Sequence, residues 1–420
     1  MSRLSQWYQY QQIGGGGVMQ STQESVQQQG AFGGGAASGI LFTTDFTQLT
    51  AGVPVLPAGY TWARASVATV QTGTSTIDIT PGVNDPRAGR RLNAWSTGLV
   101  IEDGRINKCL FSRNIAGAAW TAGTAATTAP YVVVADPNGT FLACRSVTPV
   151  GGFSNYQTFG GAVADFTLSE FARGTLAALT HQITYTTPGV AFASQFAIGT
   201  TWERVELTPL LGAGAPILVP VDSEAGVIGG DNVARDALTD FVQIEQGGFA
   251  TEPIVTDAVT VTRAGDQFRR TVGADLVSGD RISMYARLRP KGASTKYGAN
   301  GENIRLWTDV LDATSYVEIA YATGVMTISI AGVTNTTAAL AWSQFDELEV
   351  FVGAGASIAT VVSYRVNAGA TVQPAVAGAA LGNFAPAGAI DLFCDGVTKQ
   401  FTSWVYELTF YLSGFAPSWV

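Results

Sequence analysis

Apolar positions along the chain recur with a period of two, in runs of four to ten residues that end in Gly, Pro or Asn. From Ile40 the runs ILFTTDF, TWARASVATV and STIDITPGV are rich in Thr, Val, Ile and aromatics. GLVIEDGRINKCLF, APYVVVADP, TFLACRSVTPV, DFTLSEFARG, ALTHQITYTTPG, VAFASQFAIG, TWERVELTP and PILVPVDS follow. Each reads as a strand closed by a turn. A second series runs from DRISMYARLRP through VMTISIAG and DELEVFVGAG to TSWVYELTFYLSG, and in VMTISIAG and DELEVFVGAG the alternation predicts one apolar face and one small or charged face. Helical periodicity is nearly absent; only DNVARDALTDFVQIEQ leaves room for one helical turn before a strand. Strands at this spacing predict an all-β chain with two β-sandwich, jelly-roll-like domains.

The stretch Gly98 to Trp120, GLVIEDGRINKCLFSRNIAGAAW, concentrates the polar chemistry. Leu99 and Ile101 alternate with Val100 and Glu102, Asp103-Gly104 predicts a strand reversal, and Trp120 supplies an aromatic anchor, so the reading is a β-turn-β element. This stretch resembles the GLLIE…RTNLL…AAW signature of phage head-spike, head-fibre and tail-fibre proteins. Three further pieces resemble that family in order: TWARASVATV at 61–70, TWERVELT at 201–208, and VQIEQGGFATEPIVTDAVTVTRAGD at 242–266, the last similar to a closing QLExGxFxTSYIPT…TRAAD motif. The chain departs from the pattern at Ile106, Lys108 and Glu252-Pro253.

The resemblance implies a virion component assembled in the host cytoplasm and carried on the capsid or tail exterior. It implies a homotrimer, contact with other virion proteins, and binding of host surface glycan. The alternatives are a purely structural decoration protein and a polysaccharide depolymerase. The region 40–262 is similar to galactose-binding-like jelly rolls, and 263–420 more loosely to concanavalin or laminin-G-like sandwiches. The expected division is therefore an arm at 1–39 followed by those two sandwiches. The arm combines Trp7, Tyr8 and Tyr10 with Gly runs at Gly14 to Gly17 and Gly33 to Gly35. It cannot bury enough apolar surface to fold alone, which leaves a disordered tail or an arm that orders on docking to a larger assembly; the arm is the reading taken, with Trp7, Tyr8 and Tyr10 as anchors.

Composition narrows the functions. At 420 residues the chain exceeds one ordinary core, and apolar residues at 46% supply more than one. Charged residues are only 13%, so Thr, Ser, Asn, Gln and Gly must cover the surface or subunit contacts must bury it. A net charge of -9 argues against a nucleic-acid surface. No apolar stretch of about 18 residues predicts membrane insertion, and the first residues lack the apolar core of a secretory signal. Cys109, Cys144 and Cys394 read as buried thiols, with a Cys109 to Cys144 disulfide left open.

Catalysis finds no constellation. Glu203 and Glu206 lie three apart on a strand and point to opposite faces, so they cannot converge as a glycosidase pair. His181, the single histidine, reads as a hydrogen-bonded strand residue. No enzyme activity and no cofactor are expected. Structural calcium alone stays open, at Asp136 and Asn138 or at Asp222 and Glu224. For glycan binding, the loop GGFSNYQTFGG predicts an exposed cluster of Phe153, Asn155, Tyr156 and Gln157 among glycines.

Overall fold

The computed structural model describes residues 40–123, 127–131, 133–140, 142–159, 166–176, 179–187, 190–208, 217–222, 232–272, 281–294, 303–320, 323–356, 359–386, 388–396, 399–412 and 416–420. The expected anchors Trp7, Tyr8 and Tyr10, with the rest of 1–39, lie outside the described residues, as does Glu224.

The described residues form an all-β protein with a single short 3-10 turn at Phe46–Gln48 and no α-helix. The larger sandwich pairs two sheets. One holds Val361–Val366, Leu348–Gly355, Arg281–Pro290, Ser403–Tyr411, Gly98–Ile101 and Ala88–Gly89 in that order, with Ile40–Asp45 also on the Ser403–Tyr411 strand. The other runs Tyr60–Ala63, Gln267–Thr271, Ala389–Leu392, Ile304–Asp309, Tyr316–Ile319, Val325–Ile330, Val333–Ala339 and Val376–Gly378. Both inner faces feed one core that includes Leu99, Ile101, Met284, Trp307, Ile328, Val350 and Phe410. The alternation read from sequence holds there: Met326, Ile328 and Ile330 point inward, as do Leu348, Val350, Val352 and Ala354.

In Ser403–Tyr411 a register shift against Arg287 and Leu288 inserts Tyr406 as an extra residue. The bulge moves the inward phase, so Val405 and then Leu408 and Phe410 face the core while Trp404 and Tyr406 face outward against Val70 and Val100.

The smaller sandwich packs Glu203–Leu207, Phe166–Gly174, Arg235–Gln246, Cys144–Thr148 and Thr127–Pro130 against a sheet of Gln157–Thr158, Ile217–Val219, Leu179–Thr187 and Val190–Ile198. Its core gathers Cys109, Trp120, Phe166, Leu168, Ile183, Leu218, Val242 and Ile244. The segment read as holding a helical turn is a twelve-residue strand, Arg235–Gln246. Its irregularity is a bulge opposite Ser169 to Phe171, where Phe241 takes a φ of 50°.

Sheet membership does not divide at residues 262 and 263. Strands from 40–101 complete the sheets built by residues after 263, so the smaller sandwich is an insertion within the larger. The chain leaves through Arg105–Asn107 and returns through Val261–Arg263, and these two segments pair antiparallel as a two-stranded neck. This corrects the β-turn-β reading: Gly98–Ile101 pairs with Ser403–Val405 and Arg105–Asn107 with the returning chain, so Asp103-Gly104 carries the backbone between sheets instead of closing a hairpin.

The three cysteines are buried and free, so the disulfide left open by sequence is not formed. Burial pushes all three thiols up.

Candidate functional site

The neck is where the chain's charge is concentrated. Glu102 is fully buried at the end of the Gly98–Ile101 strand. Its Oε1 accepts from Lys291 Nζ and from the Glu252 backbone N–H, both at 2.6 Å. Its Oε2 accepts from Arg87 Nη1 at 2.7 Å and lies 2.9 Å from Arg263 Nη1. Asp266 closes the ring, bonding Arg87 Nη2 and, at 3.2 Å, Arg64 Nη1, and accepting the Glu102 N–H at 2.9 Å. Glu252 shares Lys291 at 2.6 Å and accepts the Gln71 N–H at 2.7 Å. Arg64, Arg87, Arg263 and Lys291 thus meet Glu102, Glu252 and Asp266, all buried.

Such a cluster survives burial only because each charge finds several partners. Burial alone would push the Glu102 carboxyl up; the Arg263, Lys291 and Arg87 charges outweigh it and hold the group well below the usual carboxylate range. Burial acts against the Arg87 guanidinium as well, and Asp266 and Glu102 overcome it and raise that group.

Amide and hydroxyl groups extend the network into the inserted sandwich. Asn107 Nδ2 donates to Ile254 O at 2.7 Å, and its Oδ1 accepts from Cys109 N at 3.0 Å and Ile244 N at 3.2 Å. Ser112 and Thr256 exchange side-chain bonds to each other's backbone N–H at 3.1 and 2.9 Å. Arg204 reaches Thr251 O, while Glu245 holds the Thr251 N–H at 2.5 Å. Arg105 bonds Asp103 at 2.8 Å and Gln246 O, and its guanidinium occupies the space a side chain on Gly247 would need. With a φ of 137° at that residue, only glycine fits there. Every one of the four stretches that carried the resemblance therefore supplies a group to this one junction.

The arrangement binds the protein to itself. Each clustered charge meets an opposite charge within it, although the Nε atoms of Arg87 and Arg263 are buried without an acceptor among the described residues, and none of the clustered charges is exposed to meet a substrate. The dense polar signal of Gly98 to Trp120 is that of a junction.

The expected glycan loop is also drawn inward. Phe153 is 9% exposed and Gln157 5%, so neither presents the exposed surface the glycines suggested. Gln157 Oε1 accepts from Leu110 N at 3.0 Å and its Nε2 donates to Leu110 O at 2.6 Å. Asn155 Nδ2 donates to Ile115 O at 2.8 Å. Tyr156, half-buried, bridges Thr121 through the backbone and tilts against Phe153 with ring centroids 5.9 Å apart. Gly123 makes this docking possible, because a Cβ there would collide with the carbonyls of Phe153 and Ser154. The loop thus serves as the bed on which the end of the Gly98 to Trp120 stretch lies.

The calcium position at Asp136 is held by an arginine. Arg113 Nη2 lies 2.7 Å from Asp136 and 2.9 Å from Asp240, and donates to Asn138 at 2.7 Å. Among the described residues no group of three His, Cys, Asp or Glu side chains is arranged to hold a metal. Burial pushes the Asp240 carboxyl up to about 7, Arg113 offsetting only part of that cost. A raised carboxylate favours the folded state below its unfolded value and loses that advantage as pH rises through the folded value. Asp240→Asn should therefore flatten the fall in unfolding free energy between about pH 4 and pH 7, measured by urea titration at several pH values.

His181 is fully buried, with Nε2 at 2.5 Å from Glu170 Oε1, as expected of a hydrogen-bonded strand residue. Glu206 binds Arg91 and the Gln344 amide, whereas Glu203 lies on the Val205 side of the strand, the face opposite Glu206. Trp120, Trp202, Trp307, Trp342 and Trp404 are buried, so none is an open platform.

No family model matches the chain, and no curated protein matches it. Among solved structures, the enzymatically active domain of tailspike protein 4 from Bacteriophage CBA120 is 15% identical over 33% of this chain, with a TM-score of 0.24. The match spans 21% of that tailspike domain's own length. The CBM22-1-CBM22-2 tandem domain from Paenibacillus barcinonensis Xyn10C is 9% identical, covering 74% of this chain and 98% of its own, with a TM-score of 0.25. Likenesses of this size carry no inference about activity.

Proposed function

We propose that the chain is a non-enzymatic bacteriophage virion component, a head spike, head fibre or tail fibre, that projects from the particle and holds host-surface carbohydrate. The observation that supports this most is the convergence of the four motif stretches on one buried junction. Their charges serve to join two sandwiches, as a projecting scaffold requires, and are withdrawn from any reacting group. Residues 1–39 would attach the chain to capsid or tail proteins, and a homotrimer would supply several weak glycan sites at once, raising effective concentration.

A second reading, a decoration protein that touches no glycan, is favoured by the burial of Phe153 and Gln157. Two measurements separate the readings. Mass spectrometry of purified particles should detect peptides of this chain, and the full-length protein should be retained by polysaccharide extracted from the host surface without releasing new reducing ends. Absence from particles overturns the virion assignment; release of reducing ends makes the protein a depolymerase; particle incorporation without retention leaves the decoration reading.

A further inference from the structure

Two half-buried aromatic rings that sequence reading did not single out meet on the outer side of the larger sandwich. Trp95 lies on the loop between Ala88–Gly89 and Gly98–Ile101, and Phe345 on the loop before Leu348–Gly355. Their ring centroids are 5.8 Å apart, and both rest on the buried Trp404, at 5.6 and 6.1 Å. Arg289 stacks on Trp95 with its guanidinium carbon 4.2 Å from the ring, and Arg91 on Phe345 at 4.6 Å. Phe345 adopts a φ of 64°, a conformation costly for a bulky side chain, without gaining full burial of its ring. Its carbonyl accepts from Arg289 and its N–H donates to Pro290 O at 3.0 Å, so the strained turn is pinned in place.

Exposed planar amides flank the pair. Gln344 donates its Nε2 to Glu206 at 3.1 Å, and Asn93 Oδ1 accepts from Thr74 N at 3.3 Å; the other half of each amide has no partner among the described contacts. Asp346 lies beside them. The two arginines stacked on the rings are already neutralised, Arg91 by Glu206 and Arg289 by Glu347 at 3.3 Å, and the half-buried Arg90 beside them donates to Thr72 O at 3.3 Å and Trp95 O at 3.5 Å, so no guanidinium on the ring faces is left to receive a phosphate or a carboxylate. Rings with amides at their edge, and with the stacked arginines already paired, match an uncharged ligand with apolar faces and hydroxyl edges.

We infer that Trp95 and Phe345, with Gln344 and Asn93, form a binding site for a neutral polysaccharide, one sugar ring lying against the aromatic pair. The inference rests on the carbohydrate-binding reading above and places that contact away from the loop at 151–161. Arg289, which stacks on Trp95 and binds the Phe345 carbonyl, sets the position of the rings; Trp95, Phe345 and the two amides make the contact.

The test is affinity electrophoresis of the full-length protein in gels containing dextran, laminarin, mannan or galactan, with acidic alginate as the charged control. The wild type should be retarded by at least one neutral polymer. Trp95→Ala should weaken that retardation about tenfold, the scale of one lost aromatic contact, and Gln344→Ala by a smaller factor. Tyr156→Ala should leave it unchanged. Trp95 also packs on Trp404, so Trp95→Ala should lower the urea midpoint somewhat; a folded baseline in the absence of urea will show that each variant enters the gel folded, and Gln344→Ala, whose side chain lies outside the core, tests the site independently. Phe345→Leu, which keeps the apolar contact with Trp404, should also weaken retardation. Retardation that persists in Trp95→Ala overturns the site and leaves carbohydrate binding standing. Retardation by alginate in preference to every neutral polymer overturns the ligand class. Absence of retardation of the wild type by any polymer overturns both the site and the carbohydrate reading.

Discussion

Glu102→Ala should lower the unfolding free energy by about 3–5 kcal/mol, the cost of breaking a buried ionic contact from one side. The substitution leaves Arg87, Arg263 and Lys291 buried with only Glu252 and Asp266 to face them, and it frees the Glu252 backbone N–H. Glu102→Gln preserves the shape and the acceptor for that N–H but removes the charge, so most of the loss should remain. Urea unfolding monitored by tryptophan fluorescence reads the effect directly. The pH dependence provides an independent signature. The Glu102 carboxyl is held well below its ordinary value of 4.5 in the folded protein, so its contribution is complete above that value and declines as pH falls below it. The acid limb of the wild-type stability profile should therefore be shallower in Glu102→Ala. A variant as stable as the wild type at pH 7 would show that the cluster contributes nothing to joining the sandwiches.

Phe268→Ala should cost about 3–5 kcal/mol through a different mechanism, the loss of a large ring and the cavity it leaves. Phe268 is fully buried, stacks on Tyr60 at 5.0 Å with an interplanar angle of 11°, and meets Phe46 at 5.8 Å edge-on and Trp62 at 6.0 Å. Phe46, Tyr60 and Trp62 come from the first segments, whereas Phe268 follows the insertion, so the ring adds side-chain packing to the backbone ladder that joins Tyr60–Ala63 to Gln267–Thr271. Limited proteolysis should then cut near Tyr60–Ala63 before the remainder of the chain in this variant, while Phe268→Leu should lose far less. Equal protection of that strand in the wild type and Phe268→Ala would overturn this account of the aromatic cluster.

Strand existence was legible in the sequence because the period of two is written locally: VMTISIAG and DELEVFVGAG place their inward residues as read. The nesting of one sandwich within the other was not. It depends on Ile40–Asp45 pairing with Ser403–Tyr411, a contact across most of the chain, and antiparallel pairing leaves no mark on either strand that names its partner. The hairpin expected at Asp103-Gly104 failed for the same reason, since a turn dipeptide specifies a change of direction and the partner strand is set elsewhere. Bulges at Phe241 and Tyr406 also escaped, because an extra residue shifts phase only relative to a neighbour.

The site was legible in a different sense. The four motif stretches were recognisable and converge in space, but their burial was not evident from residue type. A hint was available in VIED, where a carboxylate follows directly on an apolar strand in a chain with few charges. Arg87 and Lys291, both essential to that cluster, lie outside the motifs and had no sequence signal. The glycine-rich setting of Phe153 and Tyr156 misled because exposure of the loop backbone does not expose its side chains: Gly151 faces open space with a φ of 77°, while Phe153, Asn155 and Gln157 turn inward, and close approach of backbone operates at Gly123, outside the loop.

The paired segments Arg105–Asn107 and Val261–Arg263 have a mechanical meaning. Both ends of the inserted sandwich are fastened at one point, so tension drawn along the main chain of the larger sandwich bypasses it, and a pull on the insertion arrives at the two neck strands together. The charged cluster lies at the fixed end of that neck, where Glu102 and Asp266 hold the outgoing and returning strands to each other. Drag on the inserted sandwich would thus be resisted at a clamp, with Glu206, which holds Arg91 and the Gln344 amide of the larger sandwich, as a second tie away from the neck.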